Sequence, residues 1–405
     1  MSYNLILSVC LFAALNAPIK SNEIVNIDKG ANYLAQDLHK QSVELVKRYP
    51  DILEMEDLGK SFDGNKMYAI RLSKNISQIS KNPEFNVLKK HYLVEAGTHA
   101  RETFNPVLVM KEIELYCQDY YDENTIPNFN MDKILESSVM HFLPLTNPDG
   151  FNLVKNGEQS IQTSRGKQSI NKVVYIDQHY YKAGLRGVDF NRNYPSRYFD
   201  FEKETWVDFW KKTQDDLFRN EPSWAYFHGN EPASEPEVKI VMSYVDRYDF
   251  RNFISYHSQG EVLYWHQYYF SKIYNERSKS LAQICGNVNG YELMNKGNGI
   301  GSGYLSDYTT HRTLKPIVVI ETIDVDAERP TPQSYYRDAY DKNKLLPLYA
   351  VKEGEGIGYY KYRLYIDGIY IRDYEEKRYA KAHQIENGGI IIEGEGTPKF
   401  KIDMP

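Results

Sequence analysis

The sequence predicts an α/β protein: a mixed, largely parallel sheet flanked by helices, with a small β-rich appendage at its C-terminal end. Two observations carry this. Apolar strand-like runs alternate with helix-like segments from residue 33 to residue 350, the pattern of an open sheet covered on both faces. After residue 352 the pattern changes to short alternating runs broken at "DG" and "NGG", which punctuate hairpins. The 405-residue chain therefore divides into a leader (1–22), a main domain (23–352) and a C-terminal module (353–405).

The elements follow in order. Residues 33–50 place apolar side chains at helical spacing and stop at Pro50. Residues 53–74 read as a hairpin, because "DGNK" separates two alternating runs. "HYLVEAG" (91–97) is a strand. "NPVLVMKEIELYCQDYY" (105–121) is a helix, with Pro106 tolerated in its first turn. "VMHFLPL" is a strand running into "TNPDG", where Asn147 and Asp149 read as turn-formers. Residues 234–248 form a helix with Pro236 near its start, and "NFISYHSQG" (252–260) a strand entering a loop. Residues 275–291 are helical, and "KPIVVIETID" (315–324) is a buried, β-branched strand.

Composition is that of an ordinary globular protein, with 41% hydrophobic and 26% charged residues. A net charge of −6 argues against a general nucleic-acid binder, which needs surplus Lys and Arg to neutralise phosphates. Tyrosine is abundant, at 35 residues. Its flat apolar face and polar tip suit peptides or sugars, and a coding bias produces the same excess. Cys10, Cys117 and Cys285 form no paired motif, so Cys117 and Cys285 are expected as buried free thiols.

The run from Leu5 to Leu15 is too short to span a bilayer, and small residues follow it near Ala17. It is expected to act as a secretory leader, placing the protein outside the cell or on its surface. The alternative is an uncleaved membrane anchor, since no Lys or Arg precedes the apolar run. No other integral membrane segment is expected.

Sites in open α/β sheets collect at the carboxyl ends of strands. His99 and Glu102 follow "HYLVEA", His257 follows "NFISY", and Glu321 ends "PIVVI". Two histidines and a carboxylate are what Zn²⁺ uses when it keeps a coordination position open for water. The His-x-x-Glu spacing lets two ligands come from one turn, and His257 is the candidate third. Glu321 would take a proton from the attacking water, and its apolar surroundings favour a raised pKa. Singly, each has an ordinary reading: His257 as a hydrogen-bonding residue, Glu321 as the partner of a Lys or Arg, "FNRNYP" as a polar loop. Specificity lies in strand ends that carry suitable residues in this order.

Together, "GTHARE", "TNPDGFN", "GVDFNRNYP", "SEPE", "SYHSQG" and "IVVIET" resemble the zinc carboxypeptidase family, peptidase clan M14, over residues 28–350. The resemblance implies a zinc peptidase with one ion held by His99, Glu102 and His257, and Glu321 activating the water. It implies that Asn191 and Arg192 grip the substrate's terminal carboxylate, a contact that a planar guanidinium makes in bidentate fashion. Arg101 matches an arginine that faces the cleft; its alternative is a structural salt bridge.

The chain departs from the digestive members of that family. In place of their Trp-Arg-Lys context it has "YYKAGLRGVDF", so Lys182 is assigned the cation near the scissile carbonyl, with Arg186 as second candidate. The position of their mobile tyrosine is Gly299, with Tyr304 close by. The specificity position is Ser306, with Asp307 beside it, which suits a polar or cationic side chain. "HSQGEVLYW" and the lysine are similar to bacterial γ-D-glutamyl-diamino-acid peptidases, which implies a murein stem peptide as substrate. The stretch between the leader and His99 is taken up by the family's first helix and strands, leaving no room for an inhibitory pro-domain. A general metallocarboxypeptidase is the alternative, and an inactive peptide- or wall-binding protein is the reading from another class.

Overall fold

A computed structural model describes residues 23–81, 89–122, 125–174, 177–200, 202–210, 219–267, 270, 272–294, 302–355, 361–367, 369–374 and 376–393. The leader at 1–22, with Cys10, and the Gly299 position lie outside the described residues.

The strands of the main sheet are β1 (Leu53–Lys60), β2 (Lys66–Leu72), β3 (Lys90–Ala96) and β4 (Ser138–Leu143). After a separate two-stranded ribbon, β5 (Arg197–Asp200) and β6 (Thr205–Asp208), come β7 (Phe250–Ser258), β8 (Val262–Tyr264), β9 (Glu292–Met294) and β10 (Ile317–Thr322). They form one eight-stranded sheet in the order β1-β2-β4-β3-β7-β10-β8-β9. The four central strands, β4, β3, β7 and β10, run parallel. The β1–β2 hairpin and β8 join them antiparallel. Both faces of the centre are covered, so β4 and β7 are buried along their whole length. Their buried polar positions, such as His141, Asn252 and Ser255, are therefore hydrogen-bonded inside the protein.

The pleat sorts the core into two layers. Ile254 and Tyr256 of β7, with Tyr92, Val94, Val318 and Ile320, pack beneath α1 (Ala35–Arg48) and α2 (Asn105–Tyr121). Phe253 of β7, with Leu93, Leu143 and Ile317, faces the opposite side. Cys117 and Cys285 are buried free thiols, as expected. Helix α2 is buried nearly all round, and its Glu112 carboxylate accepts a hydrogen bond from the Tyr256 hydroxyl at 2.8 Å. Burial raises the Glu112 carboxyl well above its usual range.

The "TNPDG" segment is not a turn. It opens helix α3 (Pro148–Asn156), with the Asn147 side chain accepting from Gly150 N at 2.9 Å. Asn147 and Pro148 are a helix N-cap and first helical residue, a signature that also occurs in turns. Asp149, in the first helical turn, is buried and accepts from Asn65 Nδ2 at 2.8 Å and Asp63 N at 2.7 Å, which ties α3 to the β1–β2 hairpin. Beyond α3, α4 (Pro236–Asp246) supplies Val238, Val241, Tyr244 and Val245 to the second layer. It is joined there by Leu305 and Tyr308 of α6 (Leu305–Thr313). Helices α5 (Lys272–Asn289) and α7 (Leu346–Glu355) close the first layer with Leu281, Ala282, Leu346 and Val351.

The C-terminal residues form a three-stranded antiparallel sheet of β11 (Tyr362–Ile366), β12 (Ile369–Tyr374) and β13 (Ile390–Glu393), in the order β12-β11-β13. A helix, α8 (Lys377–Asn387), lies between β12 and β13 and corrects the all-strand expectation for this stretch. Its buried positions are Tyr379, Ala380, Ala382 and His383, too weakly apolar to stand out between two strand signals. The unit is tied to the main sheet by a buried ion group. Asp373 takes Arg251 Nη1 at 3.0 Å and Lys315 Nζ at 3.1 Å. Arg251 lies at the start of β7, and Lys315 just before β10. Removing one member of such a group leaves charge buried without compensation. Asp373→Ala is expected to lower stability by about 3–5 kcal/mol. A shift in the urea midpoint worth less than about 1 kcal/mol would show that the contact is not desolvated.

Candidate metal centre and active site

The three middle strands end side by side. In register, Ala96 of β3 pairs with Tyr256 of β7, and His257 of β7 pairs with Glu321 of β10. Their carboxyl ends therefore open on one cleft. Gly97 turns the chain out of β3 at φ +74°, and a Cβ there would sit 2.7 Å from Leu145 Cδ1. Only glycine fits that exit. The next turn carries His99 and Glu102. Beneath it, the buried Glu95 carboxylate accepts the hydroxyls of Thr98, Thr146 and Ser255, the last two at 2.7 Å, and so locks β3 to β7 below the cleft.

His99, Glu102 and His257 are all buried, and their ligand atoms converge. His99 Nδ1 is 2.7 Å from Glu102 Oε1, His257 Nδ1 is 3.1 Å from Glu102 Oε2, and the two Nδ1 atoms are 3.0 Å apart. Zinc bonds of ~2.1 Å require nearly that spacing. Two imidazole nitrogens and a carboxylate, aimed at one point inside the protein, suit a divalent cation and fit zinc. Among the described residues this is the group able to hold a metal ion.

Electrostatics agree with the geometry. Burial raises the Glu102 carboxyl, but the two histidines outweigh it and hold it well below the usual range. Burial lowers His257, but Glu102 outweighs it and lifts the imidazole to about 9. His99 stays lowered, by burial and by Lys182. Glu321 is half-buried at the cleft wall. Burial and the Glu102 carboxylate push its acid up to about 7 against the pull of His257, Lys182 and Arg101.

Asp189 is a residue that reading strand ends misses. It is fully buried, and its Oδ1 lies 3.3 Å from His99 Nε2, on the side of the ring away from the metal-facing Nδ1. It also accepts the backbone N–H of Asn191 at 3.1 Å and of Tyr226 at 3.2 Å. Burial would raise its carboxyl, but Lys182 and His99 hold it well below the usual range. A carboxylate behind a ligand histidine fixes its tautomer and raises its basicity. The only signal in the sequence is an acid immediately before "FNRN".

The remaining candidates divide. Lys182 Nζ is 3.8 Å from Asp189 Oδ2 and 4.9 Å from the centre of the Tyr226 ring, so it stands next to the metal group. Arg186 does not: it binds Glu235 Oε1 and the Ser234 carbonyl, each at 3.3 Å. The Arg192 guanidinium lies 4.5 Å from the Tyr304 ring centre and donates to the Asn191 carbonyl at 2.8 Å. Asn191 Oδ1 accepts Leu305 N at 2.9 Å, so it caps α6. Gly303 passes so close to the Arg192 backbone that a Cβ would meet its carbonyl oxygen at 2.2 Å. Arg101 Nη1 reaches the Tyr180 carbonyl at 3.4 Å, a main-chain contact rather than a salt bridge. Ser306 is buried in the first turn of α6, where its carbonyl accepts the Thr310 hydroxyl at 2.6 Å. Asp307 Oδ2 is taken by Tyr304 N at 3.1 Å and Ser196 Oγ at 3.0 Å, so this acid closes the helix start.

The fold and this group define an α/β protein with a two-histidine, one-carboxylate centre for a single metal ion. The chain belongs to the zinc carboxypeptidase family Peptidase_M14, a family of metallopeptidases with one zinc ion, whose sequence pattern matches residues 39–322. An uncharacterized protein, YqgT, of Bacillus subtilis is 26% identical over 229 residues, which cover 55% of this chain and 57% of that one. Gamma-D-glutamyl-L-diamino acid endopeptidase 1 of Lysinibacillus sphaericus is 24% identical over 257 residues, covering 62% of this chain and 58% of that one. The chain thus spans less than two thirds of the length of these relatives. Among solved structures, bovine thrombin-activatable fibrinolysis inhibitor shares the fold, with a TM-score of 0.59 at 18% identity over 80% of this chain and 98% of that one.

Two outcomes are expected of metal binding. A ligand histidine must be neutral to bind zinc, and without metal His257 keeps its proton up to about 9. Zinc affinity is therefore expected to rise about tenfold per pH unit and to level off above about pH 9. Competition titrations against a chelator measure this, and a flat profile below pH 9 contradicts it. Asp189→Asn is expected to weaken zinc binding by about 10- to 100-fold in the same titration. An unchanged affinity would remove Asp189 from the support of His99.

Proposed function

We propose that this protein hydrolyses a peptide or γ-glutamyl bond near a chain end with the help of one zinc ion, and that its substrate is a bacterial cell-wall stem peptide. The observation that carries the reading is the buried His99–Glu102–His257 group with Glu321 paired to His257 in the neighbouring strand. Zinc bound there supplies a Lewis acid for the scissile carbonyl and a more acidic water. Glu321, held near neutrality, takes the proton of the attacking water and returns it to the departing amine. Lys182 faces the charge that grows on the carbonyl oxygen. Arg192 and Asn191 hold a carboxylate on the leaving side, which sets the cut close to a chain end. Ser306 borders the leaving residue's side chain.

The wall peptide is favoured by the relative whose name is gamma-D-glutamyl-L-diamino acid endopeptidase. A general carboxypeptidase is the second reading, supported by the relative named carboxypeptidase O of Homo sapiens, 24% identical over 229 residues. Wall chemistry also implies export, to the medium or the cell surface, through the segment 1–22, with an uncleaved anchor as the alternative. Among the described residues no helix is long and apolar enough to cross a membrane. The catalytic part is proposed to span 23–352, with 353–405 as an attached module.

Two measurements decide this. Glu321→Gln is expected to lower kcat by about 10³-fold or more while zinc content stays at one ion. Retained activity would move the base elsewhere, and a wild-type protein inert on every peptide would favour a binding protein. Incubation with a murein tripeptide is expected to release its terminal diamino acid. Release only from peptides ending in an ordinary Lys or Leu bond would establish the general carboxypeptidase instead.

A further inference from the structure

Arg329 has no part in the reaction described above. It lies beyond β10 and is half-buried. Its Nη1 is shielded from solvent and donates no hydrogen bond among the described residues. The ionisable groups that act on it are Arg101, Glu102, Glu321 and Tyr180. Arg101 is similar: Nη1 reaches only a main-chain carbonyl, and its buried Nε donates no hydrogen bond among the described residues. Two guanidiniums thus stand together beside Glu321, and neither has a carboxylate within ion-pair distance among the described residues. Burial and Arg101 pull Arg329 down to about 10, which leaves it a cation at neutral pH. Like charges held together in a half-buried cleft repel, and an anion from outside would offset that repulsion.

The segment that carries Arg329 is pinned to the metal site. Gln259, two residues after His257, donates from Nε2 to the carbonyls of Asp324 at 3.1 Å, Val325 at 2.9 Å and Ala327 at 2.6 Å. Gly260 N adds a bond to the Ile323 carbonyl at 2.9 Å. The placement has a direction. Arg192 and Lys182 lie over one ring, 5.7 and 4.9 Å from the centre of Tyr226, whereas Arg101 reaches the Tyr180 carbonyl at 3.4 Å. Arg101, the cation that acts on Arg329, thus stands apart from the face that carries the leaving-side anchor.

We propose that Arg329, together with Arg101, forms a second carboxylate subsite, which takes the free α-carboxylate of a γ-linked glutamyl residue on the carbonyl side of the scissile bond. This rests on the γ-glutamyl reading above. A γ linkage spends the side-chain carbonyl on the peptide bond, so the α-carboxylate stays free a short carbon chain from the reacting centre. Ordinary α-linked peptides carry a charge at that distance only when the residue is acidic. A guanidinium fork on the pinned segment would read that charge with charge-assisted hydrogen bonds.

The test uses zinc-loaded full-length protein and two substrate pairs. One pair is an N-acyl γ-D-glutamyl-L-lysine with its α-carboxylate free or converted to the amide. The other is N-acyl α-linked Glu-Lys and Gln-Lys. Wild type is expected to favour the free acid over the amide by about 10- to 100-fold in kcat/KM, the range of one charged hydrogen-bonded contact. In Arg329→Met the ratio is expected to fall towards one, with Arg329→Lys in between. A structural role would lower both members of a pair together and leave the ratio intact. A ratio near one in wild type, or an unchanged ratio in Arg329→Met, overturns the subsite while the γ-glutamyl activity stands. If only the α-linked pair is cleaved, the wall-peptide reading falls and the γ-carboxylate assignment falls with it. The Glu-to-Gln ratio then tells whether Arg329 reads an acidic side chain. Should Arg329→Met fail to fold, Arg329→Lys supplies the comparison.

Discussion

The site depends on one constraint, the parallel in-register pairing of β3, β7 and β10. Parallel strands end on the same edge of a sheet. When three neighbours do so, groups from distant parts of the chain meet without long side-chain reach. His257 and Glu321 are direct partners in that register, and Ala96 pairs with Tyr256 immediately before. A slip of one residue along β10 would turn Glu321 to the opposite face. Register is protected by complete burial of β7 and by Glu95, which ties β3 to Ser255. The same carboxylate takes the hydroxyls of Thr98 and Thr146, so the strand below the cleft and the turn above it are bonded to one group.

Charge in the cleft is organised by position rather than cancelled. Glu102 and Asp189 are buried anions on either side of His99. Lys182 sits over Asp189, and Arg192 lies over the faces of Tyr226 and Tyr304. The acids stand at the metal position, and the cations stand around it. This arrangement suits a substrate that carries more than one carboxylate. Asp307, which the sequence places beside the specificity position Ser306, has its carboxylate occupied by the start of α6. Burial pushes that acid up to about 6, and the helix amide and Ser196 hold it in place.

The C-terminal unit enters the same economy of burial. Asp373 of β12 lies between Arg251 and Lys315, at the amino ends of the two strands whose carboxyl ends carry His257 and Glu321. His383 of α8 meets the His311 carbonyl of α6 at 3.1 Å and stacks on Trp206 of β6 with ring centres 5.5 Å apart. These contacts reach the foot of the central strands and the far end of α6, whose first turn holds Asn191. A change in the unit would therefore reach the cleft through β7, β10 and α6 rather than by contact.

What the sequence by itself determined is the set of local patterns. The hairpin at "DGNK", the Pro-started helices, the β-branched run before Glu321 and the His-x-x-Glu turn are each encoded by side chains within a few residues of one another. They were legible because their physics is local: hydrophobic period, proline at a first turn, turn chemistry. So was the candidate zinc set, because sheet sites collect at strand ends. Where local signals were ambiguous, the reading went astray. "NPDG" caps a helix as well as it makes a turn, and only the docking of Asp149 against Ser61, Asp63 and Asn65 decides between them. The helix at Lys377–Asn387 lacks a strong apolar stripe and forms where β11, β12 and α6 offer it a surface. Tertiary structure alone decided that Asp189 backs His99 and that Gln259 pins the segment of Arg329, and it set Lys182, the first candidate of the sequence, beside the metal group while Arg186 turned to Glu235. These are contacts between residues far apart along the chain, and the energy of such a contact depends on burial and distance, which no window of sequence contains.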